Sequence, residues 1–229
     1  MERFVTADLQ VSVSEAELLR VIKIEEDPAD EDYQRVSSML REALSCARPK
    51  YVYKLAEIDE KGEDYIVAEG RKFASALVRQ NVDAVLRIFP YAATCGVEVD
   101  AWSRQFDDIL EQYWADEIKN QILYKAVTHL RQTVKERYFP GMDMSQMSPG
   151  SLPAWPVTEQ RALFDLIGDV KNDIGVTLTD SYLMIPSKSV SGFYFSSTHH
   201  FENCRLCPRK NCPGRRVPYQ PDAHEAVMH

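Results

Sequence analysis

The chain has 229 residues, of which 45% are hydrophobic and 27% are charged, a composition typical of a folded globular protein rather than a disordered one. A chain of this size buries about 70% of its unfolded surface, so it needs neither a disulfide nor a metal to hold a core. The 27 Lys and Arg residues are outnumbered by 35 Asp and Glu residues, and the net charge of −8 argues against a general nucleic-acid binder.

The first quarter of the chain predicts two helices and a β-hairpin. Residues up to about Ile24 become helical, and Asp27-Pro28 then predicts an N-cap with proline in the first turn of a longer helix. Pro49 ends that helix. Residues 51–56 alternate before the turn at Lys61-Gly62, and the apolar run that follows completes a predicted hairpin.

The middle of the chain predicts a short helix, a broken strand and two longer helices. The short helix covers about residues 73–78, and a strand-like run over 84–89 is interrupted by Pro90 before it resumes toward Gly96. Amphipathic spacing predicts helices over about 99–113 and 118–134. Both are expected to pack on a sheet.

The last third begins with a segment rich in Met, Pro, Gly and Ser over residues 138–156, which predicts a long, irregular and functional connection. A helix follows Thr158 and ends near Gly168, and strands are predicted over 176–179 and 190–195. Helices and strands do not alternate strictly. The fold class predicted is therefore α+β, with a twisted, largely antiparallel sheet flanked by helices, and a doubly wound parallel sheet is the alternative.

Three of the five cysteines, Cys204, Cys207 and Cys212, lie in a basic C-terminal tail over residues 198–229. Their spacing lets three sulfurs converge from one loop, and neighbouring Arg and Lys side chains favour the thiolate form that ligates metals. Such thiolates suit an iron–sulfur cluster or structural zinc, whereas a reducing compartment disfavours disulfides. The pair His199-His200 could complete a site, while Cys46 is expected to be a packed helix residue.

Several function classes are not indicated. The sequence has no Ser/His/Asp order, P-loop or dinucleotide glycine fingerprint, so neither a hydrolase nor a kinase is expected and no catalytic residue is assigned. No apolar stretch approaches the ~20 residues that cross a bilayer, and the start, MERFVTADLQ, lacks the layout of a secretory signal. We therefore expect a soluble, cytoplasmic protein without membrane partners.

Two segments in the last third resemble a known family. SPGSLPAWPVTEQRALFDLIGD (148–169) and IGVTLTDSYLMIPSKSVSGFYFS (174–196) resemble the activation, or reactivation, domain of cobalamin-dependent methionine synthase, in order and at similar spacing. The likeness extends over about residues 10 to 197, so residues 1–197 are predicted to form an activation domain-like unit. In that family the domain has an α+β fold, binds S-adenosylmethionine and covers the vitamin B12 corrinoid when cobalt is in its inactive Co(II) state. The resemblance implies a stand-alone member that acts on a corrinoid-binding methyltransferase protein, because no cobalamin-binding module is recognisable here.

The resemblance also implies ligand-facing residues in two loops. Pro149-Gly150 matches the first loop, and the family's Pro-x-x-Ser-Val-Ser-Gly loop is intact from Pro186 to Gly192. The residues expected to face the ligand or the corrinoid are Pro149, Gly150, Ser187, Ser189, Ser191, Gly192 and Tyr194. The arginine of the first loop falls on Gln146, and a glutamate of the family's central helix falls on Thr128. Because an arginine fork holds a carboxylate through two charge-assisted hydrogen bonds, its loss argues against S-adenosylmethionine binding.

The resemblance adds a fourth sulfur and favours one metal. Cys95 stands where the family has an apolar residue before a glycine, and it is the candidate fourth ligand beside Cys204, Cys207 and Cys212. Reactivating an oxidised corrinoid requires a low-potential electron, which an iron–sulfur cluster supplies and zinc does not. A [4Fe–4S] cluster is therefore favoured over zinc, and the hypothesis is a redox reactivation factor. The alternatives are a corrinoid-capping module with zinc or no metal, and an S-adenosylmethionine-binding methylation factor; the oligomeric state stays open.

Overall fold

Helices cover both faces of an antiparallel sheet in this computed structural model, which describes residues 3–6, 9–196, 201, 203–210, 215 and 217–220. The strands are β1 (Arg3–Thr6), β2 (Lys50–Lys54), β3 (Ala56–Lys61), β4 (Tyr65–Ala68), β5 (Arg71–Ala74), β6 (Arg87–Thr94), β7 (Met144–Met147), β8 (Thr177–Leu178), β9 (Met184–Ile185) and β10 (Ser189–Ser196). The helices are α1 (Glu15–Ile22), α2 (Glu31–Cys46), α3 (Ala76–Asn81), α4 (Val97–Ser103), α5 (Ile109–Tyr138), α6 (Gln160–Ile167), α7 (Val170–Ile174) and α8 (Asn203–Leu206).

Strand β6 is the centre of the main sheet. It pairs with β10 along one side and with β2 and then β3 along the other. Beyond these strands, β7 pairs with β10, β1 pairs with β2, and β4 and β5 continue from β3. Every pairing between described strands is antiparallel, which confirms the predicted α+β class and excludes the doubly wound alternative for this part of the chain.

Pro90 does not break the central strand, contrary to the prediction. β2 pairs with residues 91–94 of β6 and β3 pairs with residues 87–88, so Pro90 lies where β6 changes partners. On its other side it stands opposite Phe193 of β10. Proline lacks the N–H that a ladder requires, and here it occupies a position without a registered partner on the β2/β3 side.

Alternation along the strands divides the apolar side chains between two cores. Tyr51, Tyr91 and Tyr194 point into a first core with α1, α2, α4 and α5. Val52 and Phe193 point into a second core with α3, α6 and α7. Successive side chains of a strand leave opposite faces of a sheet, so β2, β6 and β10 each contribute to both cores.

The helix boundaries depart from the predicted ones at two caps. The N-cap of α2 is Asp30, whose Oδ1 accepts a hydrogen bond from the Tyr33 amide at 2.8 Å, while Asp27 accepts from Ala29 in the turn that precedes the helix. Asp108 caps α5 by accepting from the amides of Leu110 and Glu111. Residues 109–113 therefore belong to the start of α5 rather than to the helix before it.

Two further segments were predicted incorrectly. Residues 138–156 are not wholly irregular, because β7 forms within them and pairs with β10. The predicted short helix over 73–78 is divided, since Phe73 lies in β5 and α3 begins only after Ser75, whose side chain caps it. Among the helices that the structure describes, none has the combination of length and apolar character needed to cross a bilayer.

Part of the tail packs against the second core. Leu206 of α8 is 4% exposed and contacts that core, and Cys207 packs beside it. Cys212, His199 and His200 lie outside the described residues. The predicted boundary between residues 197 and 198 stays a prediction.

Candidate functional site

The serine-rich loop before β10 is anchored inside the fold. The Ser189 hydroxyl lies 2.7 Å from the carbonyl oxygen of Pro186 and 2.9 Å from the hydroxyl of Thr94. Ser191 is 3% exposed, and its Oγ has no hydrogen-bond partner among the described residues. Ser187 is exposed. Of the three predicted serines, Ser187 is therefore accessible to a ligand. Ser189 is occupied by its hydrogen bonds to Pro186 and Thr94, and the buried Ser191 hydroxyl makes no hydrogen bond to the described residues.

Gly192 lies where two stretches of the backbone approach each other closely. A Cβ atom at this position would lie 2.3 Å from the Met147 carbonyl oxygen, 2.6 Å from Ser148 Oγ and 3.0 Å from Tyr91 Oη. Tyr91 and Tyr194 stack beside it with their ring centroids 4.5 Å apart. The absence of a side chain at Gly192 thus permits the segment after β7 to close over the paired tyrosines.

Gln146 occupies the position that the resemblance assigns to an arginine. It stands opposite Tyr194 in the β7–β10 pair, and its Nε2 donates a hydrogen bond to Tyr91 Oη. The structure therefore brings Gln146, Gly192 and Tyr194 together around Tyr91. A neutral amide here supplies hydrogen bonds but no positive charge.

The Pro149-Gly150 turn closes over the second core. Gly150 has a φ of +78°, and its amide donates to the Trp155 carbonyl oxygen at 2.8 Å. Trp155 is 1% exposed, with its ring centroid 4.9 Å from that of Phe193. Pro149 is buried and Gly150 exposed. Trp155 is thus a core residue, and its indole Nε1 has no hydrogen-bond partner among the described residues.

Cys95 lies in the first core. It is fully buried, and its thiol donates to the Gly96 carbonyl oxygen at 3.6 Å. Burial raises the pKa of the Cys95 thiol to about 12, although the positive charges of Lys119 and Lys188 oppose the shift. Since metal ligation requires the thiolate, this environment disfavours ligation by Cys95.

Cys204 and Cys207 lie together in the tail, in and just after α8, and both are half-buried. Arg215 stabilises this turn through backbone hydrogen bonds. Its guanidinium donates to the carbonyl oxygens of Cys204 at 2.8 Å and Cys207 at 3.1 Å, and to that of Arg209. One side chain thus orders the backbone that carries both sulfurs.

The structure does not bring Cys95 to the tail cysteines. Cys95 belongs to the first core, whereas Cys207 packs against the second core, across the sheet. Over the described residues, which omit Cys212, no three or more His, Cys, Asp or Glu side chains form a group able to hold a metal. The four-sulfur site stays a prediction, and its fourth ligand finds no support in the geometry.

An ion-pair network that no sequence pattern indicated joins the serine-rich loop to two helices. Lys188 pairs with Asp116 of α5 at 2.6 Å, and Lys119 lies 3.8 Å from Asp116 and 3.4 Å from Asp100 of α4. Lys119 and Asp100 are buried, at 7% and 8% exposure. Only the Asp116–Lys119 spacing was visible in the sequence, where it indicates no more than an ordinary surface pair on a helix.

Comparisons with known proteins agree with the geometry. The family model described as vitamin B12 dependent methionine synthase, activation domain, matches residues 146–202, which include β10 and both loops. A solved structure described as the MetH reactivation domain bound to AdoHcy is similar with a TM-score of 0.65 and 18% identity, covering 88% of this chain and 80% of that one. No curated protein sequence matches the chain. The resemblance to the activation domain and the α+β fold are thereby confirmed.

Proposed function

We propose that the chain is a stand-alone reactivation factor for a corrinoid-binding methyltransferase protein. The observation that carries this proposal is the activation-domain match over residues 146–202, within a fold like that of the MetH reactivation domain. The cobalamin would come with the partner. The factor would support reduction of Co(II) by one electron to Co(I), which then takes the methyl group of the partner's own methyl donor, and the demethylated donor leaves.

The chain's own residues would dock and orient the partner. The Pro186–Gly192 loop is fixed by the Ser189 contacts and by the Lys188–Asp116 ion pair, and it leaves Ser187 exposed at its surface. A loop held in this way keeps its shape when a partner binds, so little conformational entropy is lost on docking. This rigidity supports a role in holding the corrinoid in one position.

The redox part of the proposal rests on the tail. Cys204 and Cys207 form a C-x2-C turn ordered by Arg215, and both sulfurs are half-buried. An iron–sulfur cluster held by Cys204, Cys207 and Cys212 would supply the low-potential electron. Zinc fits the same donors, but it would leave the tail a purely structural role.

Metal analysis and cysteine variants test this proposal. Protein prepared anaerobically is expected to be brown and to contain iron and sulfide, with Cys46→Ser unchanged. Cys204→Ser and Cys207→Ser are expected to lose most of the iron and to slow Co(II) reduction on the partner by about tenfold or more, because thiolate ligands are removed. Cys95→Ser tests the fourth ligand, and retained iron in that variant would remove Cys95 from the site.

Two results would favour other functions. A colourless, iron-free wild type from iron-supplied cells would contradict the redox role. If that protein still captured a cob(II)alamin-bound partner, and the Cys204→Ser variant reactivated it as well as wild type, a capping role with zinc or no metal would replace it.

A methylation factor is the second candidate, since the MetH structure is bound to AdoHcy. Here Gln146 is engaged with Tyr91 and carries no charge for a ligand carboxylate. A hydrogen bond to a charged group contributes about 1.5–3 kcal/mol, so the affinity is expected to be about 10- to 100-fold below that of a site with arginine. Calorimetry with S-adenosylmethionine is expected to show no saturable heat for wild type and measurable binding for Gln146→Arg. Saturable binding by wild type would support the methylation factor instead.

A further inference from the structure

We propose that Lys119 and Asp100 are positioning residues, which hold the Pro186–Gly192 loop in place through Asp116. This role rests on the proposed function, because it concerns what keeps the docking loop in one position. Both residues lie outside 146–202, the segment that the family model matches. The ion pairs of Lys119 are with Asp100 and Asp116 rather than with the loop.

The network is a chain of five alternating charges. Lys188 Nζ lies 2.6 Å from Asp116 Oδ2, and Asp116 Oδ1 lies 3.8 Å from Lys119 Nζ. Lys119 Nζ lies 3.4 Å from Asp100 Oδ1, while Asp100 Oδ2 lies 2.6 Å from the Arg104 guanidinium. Each carboxylate therefore divides its two oxygens between two cations, so a shift of one charge alters the next pair.

The middle of the network is buried. Lys119 and Asp100 are 7% and 8% exposed, whereas the side chains of Asp116 and Arg104 are 45% and 70% exposed. An exposed ion pair is screened by water and contributes little, but a buried charge needs a partner in a fixed place. Lys119 is such a charge, and it faces both carboxylates. The buried end of the network thus holds Asp116 at the position from which it reaches Lys188.

Lys188 connects this network to the backbone of the loop. Its side chain is 20% exposed, and its carbonyl oxygen accepts a hydrogen bond from the Cys95 amide at 3.0 Å. The preceding residue, Ser187, is the exposed serine of the loop. Movement of Lys188 away from α5 would break the hydrogen bond from Cys95. Exchange of the Cys95 amide hydrogen with solvent therefore measures how often the loop opens.

Hydrogen exchange of the Cys95 amide, followed by NMR on the full chain, tests the positioning role without any partner. Lys188→Gln is expected to speed this exchange about tenfold or more, and so is Lys119→Met, which removes the charge but keeps an unbranched side chain. Lys188→Arg keeps the charge and is expected to stay within about threefold of the wild-type rate. Because both substitutions act through Asp116, the double variant is expected to exchange within about threefold of Lys188→Gln, whereas independent effects would multiply to about 100-fold.

Two controls separate this role from a general loss of stability. Glu117→Gln removes the neighbouring carboxylate of α5, which accepts a hydrogen bond from Asn120, and it is expected to change the Cys95 rate less than about twofold. The amides of β4 report on global unfolding, and their exchange in Lys119→Met is expected to stay within about twofold of wild type. Equal acceleration of the Cys95 and β4 amides would mean that Lys119 only stabilises the fold.

Capture of a corrinoid protein tests the consequence for docking. The probe is a cobalamin-dependent methionine synthase without its own activation domain, loaded with cob(II)alamin. Wild type and Lys188→Arg are expected to bind it about tenfold or more tightly than Lys119→Met, because a loop that opens must be ordered again on docking. If wild type does not bind the probe, the proposed function is contradicted, and the exchange rates alone decide the positioning role. An unchanged Cys95 rate in Lys119→Met, multiplied rates in the double variant, or equal capture by wild type and Lys119→Met would overturn that role.

Discussion

Replacing Gly192 with alanine is expected to lower the free energy of unfolding by about 3 kcal/mol, or to prevent the chain from accumulating in folded form. The added Cβ would lie 2.3 Å from a backbone atom, the Met147 carbonyl oxygen. A backbone oxygen cannot rotate away as a side chain can. Strand β10 cannot shift either, because it is hydrogen-bonded to β6 on one side and to β7 on the other.

Gly70→Ala is the matched control for this substitution. Gly70 has a φ of +73°, and a Cβ there would have nothing within 4 Å, so alanine meets only the backbone strain of the left-handed region. That strain costs about 1–2 kcal/mol. Urea unfolding followed by circular dichroism measures both variants. Equal losses in the two would show that crowding at Gly192 is relieved by local movement.

Alkaline pH is expected to destabilise the wild type more than Cys95→Ala. The folded-state pKa of Cys95 is raised from 9.0 to about 12, mainly by burial. Between these values the unfolded chain releases the thiol proton while the folded chain retains it, so stability falls as pH rises. At pH 10.5 this linkage amounts to about 2 kcal/mol relative to pH 8, because each pKa unit corresponds to about 1.4 kcal/mol.

Urea unfolding at pH 8 and pH 10.5 measures this difference. Cys95→Ala should lose about 2 kcal/mol less than wild type between the two pH values, since it has no thiol to ionise. The buried Tyr53 hydroxyl, whose pKa is raised to about 12, is present in both proteins and cancels in the comparison. Cys46→Ala is the comparison variant: burial also raises the pKa of that thiol, but the side chain is only half-buried, so its removal is expected to change the pH dependence less than Cys95→Ala does. An identical pH dependence in wild type and Cys95→Ala would mean that the folded protein lets Cys95 ionise.

Local sequence patterns predicted which helices and strands exist better than they predicted the residues at which these elements begin and end. The strand that begins at Ser189 follows from alternation and turn residues, which act over a few residues. The hairpin was assigned to the wrong first strand: residues 56–61 pair with β4 across the Lys61-Gly62 turn, whereas residues 50–54 pair with β1 and β6. The cap of α2 did not follow from local patterns, because Asp27 and Asp30 are both good capping residues and only the turn around Pro28 decides between them. Pro90 was misread because its tolerance depends on which strands lie beside β6.

The site was predictable where its residues are close in sequence. The Pro186–Gly192 loop was found from its residues, as was the Cys204–Cys207 turn. Contacts across the fold were not predictable, since no sequence spacing pairs Lys188 with Asp116. The prediction that Cys95 is a metal ligand beside the tail cysteines finds no support, because Cys95 lies in the first core and Cys207 packs against the second. The face of the sheet on which a residue lies depends on strand register, which sequence spacing does not give.

Strand β7 is an outermost strand of the described sheet, paired with β10 alone, and the tail residues Phe201, Arg205 and Val217 line a pocket together with Met144 and Ser145 of β7. An uncovered strand of this kind is a template for pairing with other molecules. Cutting off the tail would therefore expose β7 and promote aggregation. A truncated chain would lose activity through insolubility as well as through missing cysteines, so single cysteine substitutions, which keep β7 covered, separate the two effects.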